Sequence, residues 1–411
     1  MGSRSDRAEC ILIGLRHALP ASGRATQTLW RNMKITRIET IPVDVPLKAG
    51  LSTKTAHGEH VTSPYVVLRV HTDAGIVGLG EATLSPRWSG ETSPGCVAAV
   101  EGLIAPALIG QDPTQLTRLR QTIDSVIKLN PFTKSAVEMA LWDITGKARG
   151  VAVSELLGGR LRDRLPLKMV VGAFPVTAAV ALAQTFLDQG VRHLKVKVGL
   201  DPQADVERVH AVRECAGPEV TIGIDANQGW SLPVAKQMLQ ALDGCNLSFI
   251  EQPIAAQDTS GLAELRALTH VPIMADESVF MLADAWRLTH PRAVDILAVY
   301  PGKHGGIAAT AEIANLVTAA GIACSIGSNL ELGVGTAAML HVAAALPAID
   351  SERFPGDFIG PLYHETDLLA EPLSLGPLEA VVPTGPGLGV ELDEALLQEY
   401  RDRSNAARPL A

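Results

Sequence analysis

The stretch "HLKVKVG", residues 193–199, decides how this chain is read. Successive side chains of a strand point to opposite faces, so Lys195 and Lys197 share one face and Leu194, Val196 and Val198 the other. Two adjacent ammonium groups repel each other, and burying them costs more still. The same texture, a short apolar strand ending in a polar residue, recurs downstream as "TIGIDAN", "LSFIEQP", "PIMADES", "DILAVYPG" and "GIACSIGS". Lys197, Asp225, Glu251, Asp276 and Tyr300 mark successive strand ends, 28, 26, 25 and 24 residues apart. Amphipathic segments such as "AVALAQTFLDQG" and "PVAKQMLQALDG" fill the gaps. That spacing, β then α in each unit, predicts a parallel β/α barrel from about residue 161 to 365. A doubly wound open sheet would carry a Gly-rich phosphate turn after its first strand, and neither GxGxxG nor a Walker motif is present.

Residues 33–160 have a different texture. "KITRIETIPVDVPL" and "YVVLRVHTDAGIVGLGEA" alternate like strands, with "DAG" as a hairpin turn. "KAGLSTKTAHGEHVTSP" between them reads as a long polar loop, of a kind that usually carries function. "CVAAVEGLIAPALIG" and "TKSAVEMALWDITGKARG" read as helices, the second capped by Gly150. The expected organisation is a 33–160 α+β capping domain, a 161–365 barrel, and a 366–411 segment. Residues 1–32 carry Arg4, Arg7, Arg16, Arg24 and Arg31 against Asp6 and Glu9 and continue no hydrophobic pattern, so they read as an extension without fixed structure.

Composition narrows the function. A 411-residue chain with 47% hydrophobic and 19% charged residues is globular. A formal charge of -9 without a long basic block argues against nucleic acid and anionic membrane surfaces. No apolar run reaches the length of a membrane span. Five scattered cysteines, with no CxxC pair, read as reduced cytoplasmic thiols.

Barrel active sites lie at the C-terminal strand ends, where the charges fall here. Asp225, Glu251 and Asp276 at one mouth repel unless a cation neutralises them, although any one of them alone also reads as a helix cap. All-oxygen donors suit Mg²⁺, with Mn²⁺ as second choice. A cation beside Lys195 and Lys197 would hold a substrate carboxylate and lower a lysine's pKa toward that of a base. The chemistry this predicts is proton removal next to a carboxylate, with the enolate stabilised by the metal. The competing reading is that both lysines are buried ion-pair partners without chemistry.

At this point the sequence resembles the enolase superfamily, in its mandelate racemase/muconate lactonizing enzyme family and the muconate-lactonizing-type subgroup. The matching stretches are "KVKVG" at 195–199, "DANQGW" at 225–230, "IEQP" at 250–253, "ADES" at 275–278 and "GGI" at 305–307, with "SAVEMALWDITGKARG" and "VPTGPGLGVELDE". The resemblance implies a modified (β/α)7β TIM-like barrel under a cap built from the N-terminal domain and the C-terminal segment. It implies Mg²⁺ on Asp225, Glu251 and Asp276, Lys197 as acid/base, and Lys195 beside it touching the substrate carboxylate. It also implies a small carboxylate substrate and a homo-oligomer, dimer or octamer. The expected reaction is a muconate-lactonizing-type cycloisomerisation. Dehydration of a hydroxy or sugar acid, epimerisation of an amino-acid derivative, and an inactive ligand-binding relative are the alternatives.

One position departs from the subgroup. A second lysine is usual five residues before the Gly-Gly pair, where this chain has Tyr300, a phenol of ordinary pKa ~10. Lys303 stands on the following loop and reaches the site only if that loop folds over it. The departure weakens two-base racemisation and leaves one-base chemistry intact. Asn227 and Glu277 read as groups that orient the metal ligands. Glu331 reads as a proton donor, a substrate contact or a helix-start residue. His57 and His60 read as substrate-reading groups of the capping loop or as solvated histidines.

Overall fold

The computed structural model describes residues 33–407, and the expected extension over 1–32 lies outside them. The N-terminal domain is a three-stranded antiparallel sheet, Ile35–Pro46, Thr62–Thr72 and Val77–Thr83 in that order, packed on helices. Its central helix, Pro131–Arg149, starts on a proline and stops at Gly150 in the left-handed conformation, φ 68°. Gly80 lets the sheet close on it: a Cβ there would stand 1.8 Å from the carbonyl oxygen of Ala136. The expected helix over "CVAAVEGLIAPALIG" is two pieces, Ser93–Ala99 and Ala105–Leu108, joined by a π-turn at Val100–Ile104.

The polar segment expected as a loop contains a small hairpin, Thr53–Thr55 paired with Gly58–His60. Its polar residues conceal the strands, and Gly58 at φ 120° supplies the turn. "DAG" makes the expected turn, with Gly75 at φ 76°.

Seven parallel strands follow in sequential order: Met169–Val171, His193–Lys197, Thr221–Asp225, Leu247–Glu251, Ile273–Ala275, Ile296–Val299 and Ala323–Ile326. The segment from Ile349 to Gly356 closes the ring, bridging in parallel to Cys324 on the seventh strand and to Leu167 before the first. This is the modified (β/α)7β barrel, its strands buried on both faces as parallel strands are. The C-terminal segment returns twice. Glu379–Val381 pairs with Arg164–Pro166. The helix Glu394–Ala407 lies against Ile35–Pro46, where Asp44 N–H donates to Ser404 Oγ (2.7 Å) and Arg69 grips Glu394 through two contacts of 2.6 and 2.7 Å. Among the described residues, no helix is long and apolar enough to cross a membrane.

Candidate active site

Strand register builds the site. Lys197 pairs with Asp225, and Asp225 with Glu251, so three charged side chains stand in one row across three strand ends. They open on a cavity of about 80 Å³ that is also lined by Lys195, Asp276 and Asn227. The capping domain supplies its ceiling with Thr55, His57 and His60 of the hairpin and with Ser85 and Trp88 after the third sheet strand.

The lysines are buried among carboxylates. Lys197 Nζ donates to Asp225 Oδ2 and to Asn227 Oδ1 (2.9 Å). Lys195 Nζ donates to Glu251 (3.1 Å) and to Asp357 (2.7 Å), and lies 3.6 Å from Asp225. Burial works to lower the Lys195 ammonium, but Asp357, Glu251 and Asp225 outweigh it and hold the group well above the ordinary lysine value. Lys195 is thus held as a cation by the carboxylates around it.

Two of these groups escaped the sequence reading. Asp357 follows the closing segment in "RFPGDFIG", directly after the bridge at Gly356, a continuation of the strand-end rule that the absence of a regular strand conceals. Lys168, just before the first strand, reaches Asp357 at 3.3 Å and is fully buried. Asp357 therefore bridges two ammonium groups.

Asn227 lines the cavity beside Lys197, and Glu277 stands against Asn227. Asn227 takes the left-handed conformation (φ 42°), its N–H donates to Asp225 Oδ1 (2.9 Å), and its Nδ2 donates to Glu277 Oε1 (3.0 Å). His57 Nε2 lies 2.8 Å from the same Glu277 oxygen. His60 also faces the cavity. Burial, then the charges of His57, Arg87 and Lys197, hold its imidazole below the ordinary value.

The sixth-strand groups differ from expectation. Tyr300 is 1% exposed and is not among the residues lining the cavity; its ring packs against Trp88 and Phe132, with centroids 6.2 and 6.3 Å apart. Its hydroxyl is buried without a hydrogen-bond partner. Burial, then Asp276 and Glu331, push the phenol well above 10. Lys303 stands on no open loop. It belongs to a one-turn helix, Pro301–His304, and its ammonium is consumed by Asp276 Oδ1 (2.6 Å), Asp276 O (3.0 Å) and Ala298 O (2.6 Å). Glu331 turns away from the cavity: it accepts from Ser328 Oγ (2.6 Å) and from the Asn329 N–H, supporting a loop whose Ser328 and Asn329 do line the cavity. Burial pushes its carboxyl up to about 7.

Asp225, Glu251 and Asp276 suit a hard cation in donor type. Among the described residues no three acidic, His or Cys side chains stand already gathered at metal-binding distance; Lys197 holds Asp225, Lys195 lies against Asp225 and Glu251, and Lys303 holds Asp276. Burial, then the charge of Asp225, push Glu251 up to about 8 against the pull of Lys195, so the lysines do not by themselves compensate this carboxylate. A divalent cation fits this all-oxygen set and would compensate it.

Comparison with known proteins agrees with this architecture. Residues 37–158 match the mandelate racemase/muconate lactonizing enzyme N-terminal domain, and residues 178–396 the enolase C-terminal domain-like family. The chain is 35% identical over 375 residues to a chloromuconate cycloisomerase of Cupriavidus pinatubonensis, covering 90% of this chain and 99% of that one. The muconate lactonizing enzyme of Pseudomonas fluorescens, solved with muconolactone, superposes with a TM-score of 0.86 at 34% identity, covering 90% of this chain and 100% of that one. A dipeptide epimerase of Cytophaga hutchinsonii, solved with Mg and the dipeptide D-Ala-L-Val, superposes with a TM-score of 0.85 at 29% identity, over 89% of this chain and 98% of that one. With both domains matched and the KxK strand in place, the chain belongs to the mandelate racemase/muconate lactonizing enzyme family of the enolase superfamily, in its muconate-lactonizing-type branch, and is an enzyme of that superfamily.

Proposed function

We propose that this enzyme is a Mg²⁺-dependent cycloisomerase of muconate-type dicarboxylates, working with one acid/base group, Lys197. One observation carries the reading. Among the described residues, the lysines that line the cavity are Lys195 and Lys197, both from the second strand and therefore on one side of any planar intermediate. The sixth strand offers a neutral, buried phenol and a lysine bound to Asp276. Racemisation needs a proton donor on each face of the intermediate, whereas cycloisomerisation needs one. The cycloisomerase relatives support the same choice.

In the lactone-forming direction, one substrate carboxylate adds to the β-carbon of the double bond conjugated to the other. The electron pair of that double bond moves onto the α-carbon and its carboxylate, giving an ene-diolate. Lys197 then delivers its proton to the α-carbon, and in reverse it removes that proton. Lys195, kept cationic by Asp357, faces the developing negative charge without exchanging a proton. Asp225, Glu251 and Asp276 would hold the Mg²⁺, which when bound supplies further charge stabilisation to the carboxylate oxygens. Asn227 holds Lys197 in place. Trp88 and the hairpin cover the cavity and exclude water. A cytoplasmic homo-oligomer belongs to the same reading, supported by the free thiols of Cys96, Cys215, Cys245 and Cys324 and by the exposed Met281, Leu282 and Trp286.

The test is NMR of muconolactone incubated with enzyme and Mg²⁺ in D₂O. One of the two hydrogens on the carbon next to the carboxylate should exchange, and EDTA should stop it. Comparable exchange of both hydrogens, or epimerisation of a dipeptide, would overturn the one-base reading.

A further inference from the structure

The hairpin 53–60 is tied down at three points. Ala173 N–H donates to Lys54 O (2.8 Å), Arg87 Nη1 donates to His57 O (3.0 Å), and His57 Nε2 meets Glu277 Oε1 (2.8 Å). The first two end on hairpin backbone. The third enters a directional chain that ends on the reacting lysine.

An ammonium only donates, and a carboxyl oxygen that carries no proton only accepts. Asn227 stands between one of each, with Oδ1 toward Lys197 (2.9 Å) and Nδ2 toward Glu277 (3.0 Å). A flipped amide would set NH₂ against the ammonium and oxygen against the carboxylate, so a single orientation satisfies both neighbours. Glu277 enforces that orientation through one oxygen. Its Oε1 holds His57 and Asn227, while its Oε2 is buried without a partner. Of these four side chains His57 is the most exposed, at 23%, against 5% for Glu277 and 10% for Lys197. It is the link that solvent and hairpin movement reach first.

We propose that His57 is a positioning residue whose contact with Glu277 couples closure of the hairpin over the cavity to the aim of Lys197. With the hairpin lifted, Glu277 loses one of its two partners and can shift, drawing the Asn227 amide with it. Lys197 then keeps Asp225 alone. With the hairpin down, Asn227 is locked and Lys197 is directed by two fixed acceptors. The acid/base group is thereby set only when the cavity is covered. This inference rests on the assignment of Lys197 as the acid/base.

Acetic anhydride labelling of lysines, read by mass spectrometry, tests it without a substrate, alongside backbone hydrogen exchange of residues 51–62. His57→Ala should raise hairpin exchange at least tenfold and should raise labelling of Lys197 relative to Lys195 severalfold. Lys195 is the internal control, because both ammonium groups line the same cavity and a merely opened roof exposes both. His57→Gln, whose amide can donate to Glu277, should return both readings toward wild type. A loosened hairpin with an unchanged Lys197/Lys195 ratio would overturn the proposal and leave His57 a structural tether, and so would no change in either reading. With cis,cis-muconate as probe, His57→Ala should lower kcat more than tenfold with KM changed less than threefold. Failure of wild type to turn over muconate would refute the proposed reaction, while the labelling still decides the coupling.

Discussion

Replacing Lys303 by methionine tests the least expected feature of the site. The Lys303 side chain is fully buried, and its three N–H donors meet three acceptors, Asp276 Oδ1, Asp276 O and Ala298 O. Methionine is of similar length and fills the same space, so the cavity term is small and the loss is electrostatic. Each orphaned carbonyl costs about 1–3 kcal/mol, and removing one partner of a buried ion pair costs about 3–5 kcal/mol overall. Lys303→Met should therefore lose about 4 kcal/mol of unfolding free energy in urea titrations without Mg²⁺, with an unchanged dependence on urea concentration. Adding Mg²⁺ should recover more stability in the variant than in wild type, because Asp276 then has no ammonium to compete for it. A solvated, weakly held lysine on an open loop would lose less than about 1 kcal/mol. That result would refute the reasoning.

Tyr300→Phe removes a hydroxyl that has no partner. Stability should change by less than about 1 kcal/mol, and lactone exchange by less than about twofold. A racemising activity that vanished in this variant would place the phenol back in the chemistry. Asp225→Asn, Glu251→Gln and Asp276→Asn should each weaken Mg²⁺ binding in calorimetry while keeping the circular dichroism of wild type; three unchanged affinities would show that the carboxylates serve only the lysines. Burial pushes the Glu81 carboxyl up to about 7, against hydrogen bonds from Gly335 and Leu332. A carboxyl raised in the folded state contributes stability that is whole below its ordinary pKa and is lost as pH rises through about 7, worth about 3 kcal/mol for this shift. The fall in unfolding free energy from pH 5 to pH 8 should therefore be smaller by roughly that amount in Glu81→Gln, and equal slopes would contradict the assignment.

What the sequence by itself determined is whatever repeats locally. Alternation along a strand placed Lys195 and Lys197 on one face, and the strand-to-strand interval placed Lys197, Asp225 and Glu251 at matching ends, as the register later set them. Helix stops such as Gly150 and the turn at Gly75 were legible because backbone conformation and residue type are linked within a few positions. Tertiary structure alone decided the rest. Asp357 lies 162 residues from the Lys195 it holds, and Glu277 lies 220 residues from His57. Lys303 is close to Tyr300 in sequence, yet its direction follows from the carbonyl of Ala298 and the carboxylate of Asp276 that the closed barrel brings to it. A charged side chain in a dry interior goes where its hydrogen bonds can be completed, and those partners are assembled only when distant strands and the cap meet. Spacing could name the groups at the mouth of the barrel; which ammonium is locked, which phenol is buried without a partner and which histidine meets Glu277 depended on that meeting.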